Sequence, residues 1–262
     1  MLNRDHRLPP LSAPTPRMPS SAIKLDGGDD MPFLQRLQGR AQAVAAGTEI
    51  ILDDDLGGQI HWVLQGWVAV QKMLPDGRRQ ILDVFIGPDL IDQGACAAQG
   101  ADQGITVLTD AWIAPCGKAA LARDRRGQQT LDDVLTRLEA AAQARQAERM
   151  LRLGQATAYE RIAHLLLEFH IRLNALGQAR DGVFELPIVQ QHLADMAGLT
   201  AVHVCRTLRR LVRDGVIDTH DRQIRVNNPQ HLADICGIDV ASFSQAIAPA
   251  KLMLVRYGRS KA

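Results

Sequence analysis

Residues His203, Arg206, Arg209, Arg210 and Arg213 recur at intervals of one, three and four, so on a helix they share one face. Val204, Leu208 and Leu211 fill the opposite face, giving an element with an apolar side for a core and a cationic side for solvent. Guanidinium groups on a helix pair bidentately with guanine edges or clamp phosphates, so the chemistry on offer is polyanion recognition. Thr200 is a good N-cap for this helix, and Gly198 permits a sharp turn before it. A preceding helix carries Val189, Leu193 and Met196 on one face. The pair reads as a helix-turn-helix. Val216 to Val226 then reads as a β-hairpin with His220, Asp221 and Arg222 at its tip, the wing of a winged helix.

An α-helix fits the major groove of a DNA duplex, with its first turns facing the base edges. This makes Arg206 the candidate base reader. Thr200, Arg209, Arg210, Arg213, Arg222 and Arg225 fall to the backbone or to ion pairs. Cys205 lies near a helix start and beside Arg206, features that favour a thiolate, so it is a candidate redox switch on binding.

Charge along the chain agrees. The formal net charge is +1, yet residues 186–262 hold ten Arg and Lys against six Asp and no Glu, which leaves the first 185 residues at −3. The basic third is where a polyanion would meet the protein. With 46% hydrophobic and 23% charged residues over 262 positions, the chain is of globular composition and long enough for two domains.

Five prolines between Pro9 and Pro19 and a small, polar run after them mark residues 1–30 as a tail. From Ala41 to Leu121 short β-type runs (EIIL, HWVL, WVAVQKML, RQILDVFI, GITVLT, AWIAPC) alternate with turn signals, of which Asp76-Gly77 is the clearest. This pattern predicts an antiparallel jelly-roll type β-roll. Beyond Gly127 the composition becomes helical. Val134, Leu138, Ala141, Ala144, Ala147 and Leu151 fall at a spacing suited to a paired, dimer-forming helix, with packing on the chain's own β-domain as the alternative. Thr157 to Glu160 is a capping box opening a helix with the stripe Ile162, Leu165, Leu166, Phe169 and Leu173. The fold class is therefore α+β. Its units are a tail (1–30), a β-roll (31–126), a long dimerisation helix (127–155), a winged helix-turn-helix (156–236) and a C-terminal extension (237–262).

A β-roll with IHWVLQGWVAVQKMLPDGRRQILDVFIGPDL, a long helix, ATAYERIAHLLLEFHIRL and LADMAGLTAVHVCRTLRRLVRDGVI together resemble the Crp/Fnr family of bacterial transcription regulators. The resemblance covers about residues 35 to 240. It implies a homodimer joined along the long helix, a cyclic-nucleotide-binding-like sensor domain, a two-fold symmetric operator in double-stranded DNA, and RNA polymerase as a partner. Many relatives read bases with a Glu, a Ser and an Arg. Here those base-reading positions are Val202, Cys205 and Arg206, with His203 as a substitute contact, which implies a different half-site.

The sensor departs further. Cyclic-nucleotide binders of the family use a glycine–glutamate turn and a phosphate-binding arginine. From Gln80 to Gly117 this chain has no Lys, Arg or His, while Asp83, Asp89, Asp92, Asp102 and Asp110 fall in that stretch. A phosphate would be poorly held there, so cyclic nucleotide is not the expected effector. Residues 1–95 contain no cysteine, which argues against the iron–sulfur cluster of Fnr-type relatives. Lone His61, His164 and His170 read as core or surface residues rather than haem ligands. Trp62, Trp67 and Trp112 read as β-roll core, with a small apolar-ligand pocket as the alternative.

No cofactor or metal is expected. Cys96, Cys116, Cys205 and Cys236 form no CxxC pair, and no nucleophile elbow, phosphate loop or metal-ligand spacing suggests an enzyme. Without an apolar run long enough for a membrane span or signal peptide, the expected location is cytoplasmic. The competing function is a ligand-binding regulatory module that acts through protein partners; it would have no use for the arginine-bearing helix and wing.

Overall fold

The computed structural model describes residues 40–50, 59–92, 103–117 and 125–247, with the side chains of 59, 103, 116, 117 and 125–135 outside the description. The tail, Cys96, Asp102, the Cys116 and Val134 side chains and the last fifteen positions therefore lie outside the described residues.

Among the described residues the β-rich part holds eight strands: β1 (Gln42–Val44), β2 (Glu49–Ile50), β3 (Gln59–Gln65), β4 (Trp67–Met73), β5 (Arg79–Ile86), β6 (Asp89–Asp92), β7 (Gln103–Val107) and β8 (Ala111–Gly117). They form two antiparallel sheets, ordered β1-β8-β3-β6 and β2-β7-β4-β5. Facing aliphatic side chains such as Val63, Val68, Val70, Ile91, Ile105 and Ile113 close the interior between them. Apolar side chains alternate along β4: Val68 and Val70 point into the roll, whereas Trp67 and Ala69 point outward. The Asp76-Gly77 signal becomes the β4–β5 turn, with Gly77 at φ +85°.

Six helices follow among the described residues: α1 (Arg125–Gln155), α2 (Ala158–Ala175), α3 (Gln190–Ala197), α4 (Ala201–Arg213), α5 (Pro229–Cys236) and α6 (Val240–Ile247). A third sheet, β11-β12-β10-β9, inserts β9 (Ala179–Arg180) and β10 (Val183–Glu185) before α3, and β11 (Ile217–His220) and β12 (Gln223–Val226) after α4. β9 and β10 were unanticipated, although the Asp181-Gly182 turn between them is a hairpin signal of the same kind as Asp76-Gly77. None of the described helices is long and apolar enough to cross a membrane.

The capping box at Thr157 is formed in both directions, with Thr157 accepting from the Glu160 backbone N–H and the Glu160 carboxylate accepting from the Thr157 backbone N–H. The α2 stripe Ile162, Leu165, Leu166, Phe169 and Leu173 is buried throughout, each large side chain contributing about 1.5–3 kcal/mol. It buries against more than its own domain. One continuous apolar cluster joins α2, α3 and α4 to Trp67, Ile81, Val84 and Ile86 on the outer face of the β2-β7-β4-β5 sheet. Trp67 lies 5.1 Å from Phe169, ring centre to ring centre, so this tryptophan belongs to the seam between sheet and helices instead of the roll interior.

Two sequence expectations shift for physical reasons. Val189, assigned to the inner face of α3, is its N-cap residue and is exposed, while the preceding Ile188 is buried. Among the described side chains of α1 the buried positions are Ala141, Arg145 and Arg149, one every fourth residue, packed on the chain's own sheet and α2. Ala141, expected in the pairing seam, is thus covered within its own chain. Leu138 and Ala144 are half-buried, and Ala147 and Leu151 remain exposed beside Met150.

Candidate nucleic-acid interface

The turn that orients the recognition helix is built around Gly198. It caps α3 in the left-handed region at φ +62°, and a Cβ there would lie 3.0 Å from Leu153 Cδ2 on α1, so both conformation and space favour glycine. Arg161 of α2 reinforces the corner by donating to the carbonyl oxygens of Ala156 and Ala197 at 2.9 and 3.2 Å. Thr200 then caps α4, its hydroxyl accepting from the His203 backbone N–H at 3.2 Å. Val204, Thr207 and Leu211 of α4 are buried, and Leu208 is partly buried against the same core.

The opposite face is open. Val202, His203, Arg206, Arg209, Arg210 and Arg213 are exposed, and Cys205 is half-buried beside them. The wing forms as expected: β11 and β12 pair from Ile217–Val226 to His220–Gln223, with Asp221 at φ +52° in the tip and Arg222 and Arg225 exposed. Of the residues assigned to bases and backbone from sequence, all but the half-buried Cys205 are thus exposed to solvent.

The arginines of this surface are not equivalent. Arg210 lies 4.6 Å from the centre of the Tyr159 ring and 3.5 Å from the Asp214 carboxylate, which Arg213 also approaches, at 3.7 Å. The Tyr159 hydroxyl donates to Asp214 at 3.0 Å; burial and this bond push the phenol pKa up, keeping it a donor. Arg206, Arg209, Arg222 and Arg225 have no ion-pair partner among the described residues.

The sequence reading missed a groove of about 730 Å³ between the start of α2 and the start of α4. Its lining includes Thr157, Tyr159, Thr200, His203, Arg206 and Arg210. Thr157 and Thr200 are the N-caps of α2 and α4, so two helix amino ends converge on a cleft with arginines along one wall. Thr157 was readable as a cap. That it borders the recognition face depends on how α2 packs on α4, which local pattern does not encode.

The β-roll residues divide differently. Asp83 and Asp89 do not surround a ligand site. Asp83 accepts from Arg145 and Arg149 of α1, and Asp89 lies 3.7 Å from Arg172 of α2. Asp110 accepts from the Ala46 backbone N–H. His61 lies on β3, whereas His164 and His170 lie on α2. Burial lowers the His164 pKa to about 4, with its ring 5.5 Å from that of Phe243. Among the described residues no group of three or more His, Cys, Asp or Glu could hold a metal ion.

A β-roll followed by a helix-turn-helix and wing with an open cationic face defines a DNA-binding regulator with an appended β-domain. Residues 160–235 match the Crp-like helix-turn-helix domain. The chain is 34% identical to the nitrogen fixation regulation protein FixK of Bradyrhizobium diazoefficiens, over 68% of this chain and 74% of that protein. It is 31% identical to the transcriptional activator protein FnrL of Cereibacter sphaeroides, over 66% of this chain and 70% of the relative. The solved structure of FixK2 from Bradyrhizobium japonicum superposes with a TM-score of 0.62 at 25% identity, covering 76% of this chain and 98% of that one. The chain therefore belongs to the Crp/Fnr family of transcription regulators.

Proposed function

We propose that the protein is a homodimeric transcription activator that reads a two-fold symmetric operator with α4. Arg206, with Val202, His203 and Cys205, faces the bases, and Thr200, Arg209, Arg222 and Arg225 meet the backbone. The observation that carries this reading is the set Arg206, Arg209, Arg222 and Arg225, exposed on α4 and the wing with no ion-pair partner among the described residues. Arg210 and Arg213 share the Asp214 carboxylate and act as a partly neutralised pair. Val202, 62% exposed, offers an apolar contact suited to a thymine methyl and cannot accept a hydrogen bond from cytosine.

The units are those drawn from the sequence: a tail to residue 30, a β-roll to 126, the pairing helix to 155, the winged helix to 236 and the extension beyond it. Dimerisation uses the face of α1 bearing Ala147, Met150 and Leu151, of which Met150 is 73% and Leu151 50% exposed. Activation implies a contact with RNA polymerase. Neither a cyclic nucleotide nor an iron–sulfur cluster is the regulator: the arginines nearest the β-roll acids are committed to protein carboxylates, and no cysteine precedes Cys96. Cys205 is a redox brake, since oxygen atoms added there would stand between the recognition helix and the phosphates.

The test is selection of duplex fragments from a random pool by reduced protein, followed by sedimentation of the protein on the winning site. A palindromic winner bound by two chains is expected; failure to enrich any duplex would overturn the reading. For the brake, peroxide should release wild-type protein from DNA and leave Cys205→Ser bound.

A further inference from the structure

Six charged side chains from four elements meet out of water where the β-roll joins the helices. Asp83 (β5), Asp89 (β6), Arg145 and Arg149 (α1), and Glu168 and Arg172 (α2) are all less than 10% exposed. Arg149 donates to both Glu168 carboxylate oxygens at 2.7 and 3.2 Å, to the Leu82 carbonyl at 2.7 Å and to Asp83 at 3.2 Å. Arg145 grips Asp83 through Nε and Nη2. Arg172 donates to Glu168 at 3.0 Å and to the Val84 carbonyl at 2.6 Å. Three cations face three carboxylates.

Strand β5 extends these contacts to the helix-turn-helix. Arg79 donates through Nε and Nη2 to one Asp195 oxygen on α3, whose other oxygen accepts from Gln191, and the Gln80 amide donates to the Met196 carbonyl. One strand is thereby bonded to α1, α2 and α3. Gln178, just beyond α2, adds a bond to the Gly87 carbonyl at 2.7 Å.

A buried ion cluster is a poor way to gain stability, because apolar residues of the same volume do as well; directional, fully partnered charges instead favour one arrangement over its neighbours. In the arrangement fixed here, α3 lies against β5 while the recognition face of α4 stays open to solvent. We infer that β5 and this ionic cluster form a built-in latch that holds the winged helix in its DNA-ready orientation on the β-roll, so that operator binding requires no small-molecule effector. The latch rests on the DNA-binding reading given above. It works by preorganisation, since the ordering cost is met on folding and not on meeting DNA.

The test uses full-length protein, dialysed extensively and checked by native mass spectrometry for retained small molecules, on the selected duplex. Arg79→Asp is expected to weaken binding by about tenfold or more and to raise protease cleavage near residue 156, with the thermal transition still cooperative. The swap Arg79→Asp with Asp195→Arg should recover most of the lost affinity. Asp83→Asn should weaken binding further where it folds; the more exposed Arg79 pair keeps the test decisive where it does not. Unchanged or tighter binding by Arg79→Asp overturns the latch, the latter making the contact inhibitory. So does a stoichiometric retained molecule, or wild-type binding that appears only after cyclic AMP or haemin is added. A wild-type protein that selects no duplex under any of these conditions refutes the DNA-binding reading itself.

Discussion

Removing Arg222 should flatten the salt dependence of operator binding, and removing Arg210 should not. Arg209, Arg222 and Arg225 are exposed and unpaired among the described residues, whereas Arg210 and Arg213 share Asp214. Counting three backbone cations per protomer over two half-sites, the slope of log affinity against log salt is about −5.4, from roughly −0.9 per phosphate neutralised. Raising salt from about 50 to about 200 mM then costs wild type on the order of a thousandfold in affinity. Arg222→Ala removes two contacts per dimer, brings the slope to about −3.6 and cuts the loss to about a hundredfold. Arg210→Ala removes a cation whose charge Asp214 already offsets in part, so its slope stays nearer wild type. Fluorescence anisotropy on one labelled operator at four or five salt concentrations measures all three proteins. Equal slopes for Arg222→Ala and wild type, or equal flattening by Arg210→Ala, would refute the division into free and committed arginines.

Arg206→Ala should cost about 1–3 kcal/mol per half-site and relax base preference at one position, visible by repeating the duplex selection with the variant. The His164 pKa lies near 4 against an ordinary 6.5, so the unfolded chain takes up the proton first and stability falls as pH drops from about 6.5 toward 4. His164→Leu should remove that loss, about 2 kcal/mol between urea melts at pH 7.5 and 5. Asp89 works in the opposite sense: burial raises its pKa to about 6 from 3.8, so the native state gains stability as pH falls through 6, and Asp89→Asn should steepen the acid loss. Thr157→Ala removes the hydroxyl that accepts from the Glu160 backbone N–H, leaving only the backbone half of the capping box, and should destabilise the protein by about 1 kcal/mol, read as a lower urea midpoint at unchanged slope.

The elements were legible where a local pattern has one physical meaning. Asp76-Gly77 specifies a hairpin, Thr157 with Glu160 a helix start, and Gly198 before Thr200 the corner between two helices; each forms. The recognition face was legible because its arginines must stay wet, so polarity and periodicity agree. Val189 was misplaced because an apolar residue one position before a helix can serve as its cap as easily as its first buried contact. Trp67 was misplaced because alternation along β4 identifies two buried faces without saying which covers the roll interior and which meets α2.

The buried arginines show why the rest was hidden. On α1 the inward positions include Arg145 and Arg149, residues that any hydrophobic pattern assigns to solvent, and their omission moved the predicted seam onto Ala141. The same omission altered the reading of the β-roll. A stretch from Gln80 to Gly117 without a cation looks like acid left uncompensated, yet Asp83 receives two guanidinium groups from more than sixty positions away in the chain. A charge count over a contiguous segment measures the field only when the segment folds on itself. Here the compensating charges arrive on helices that also carry the DNA-binding domain, and the acids that appeared to exclude a ligand instead join the two halves of the protein.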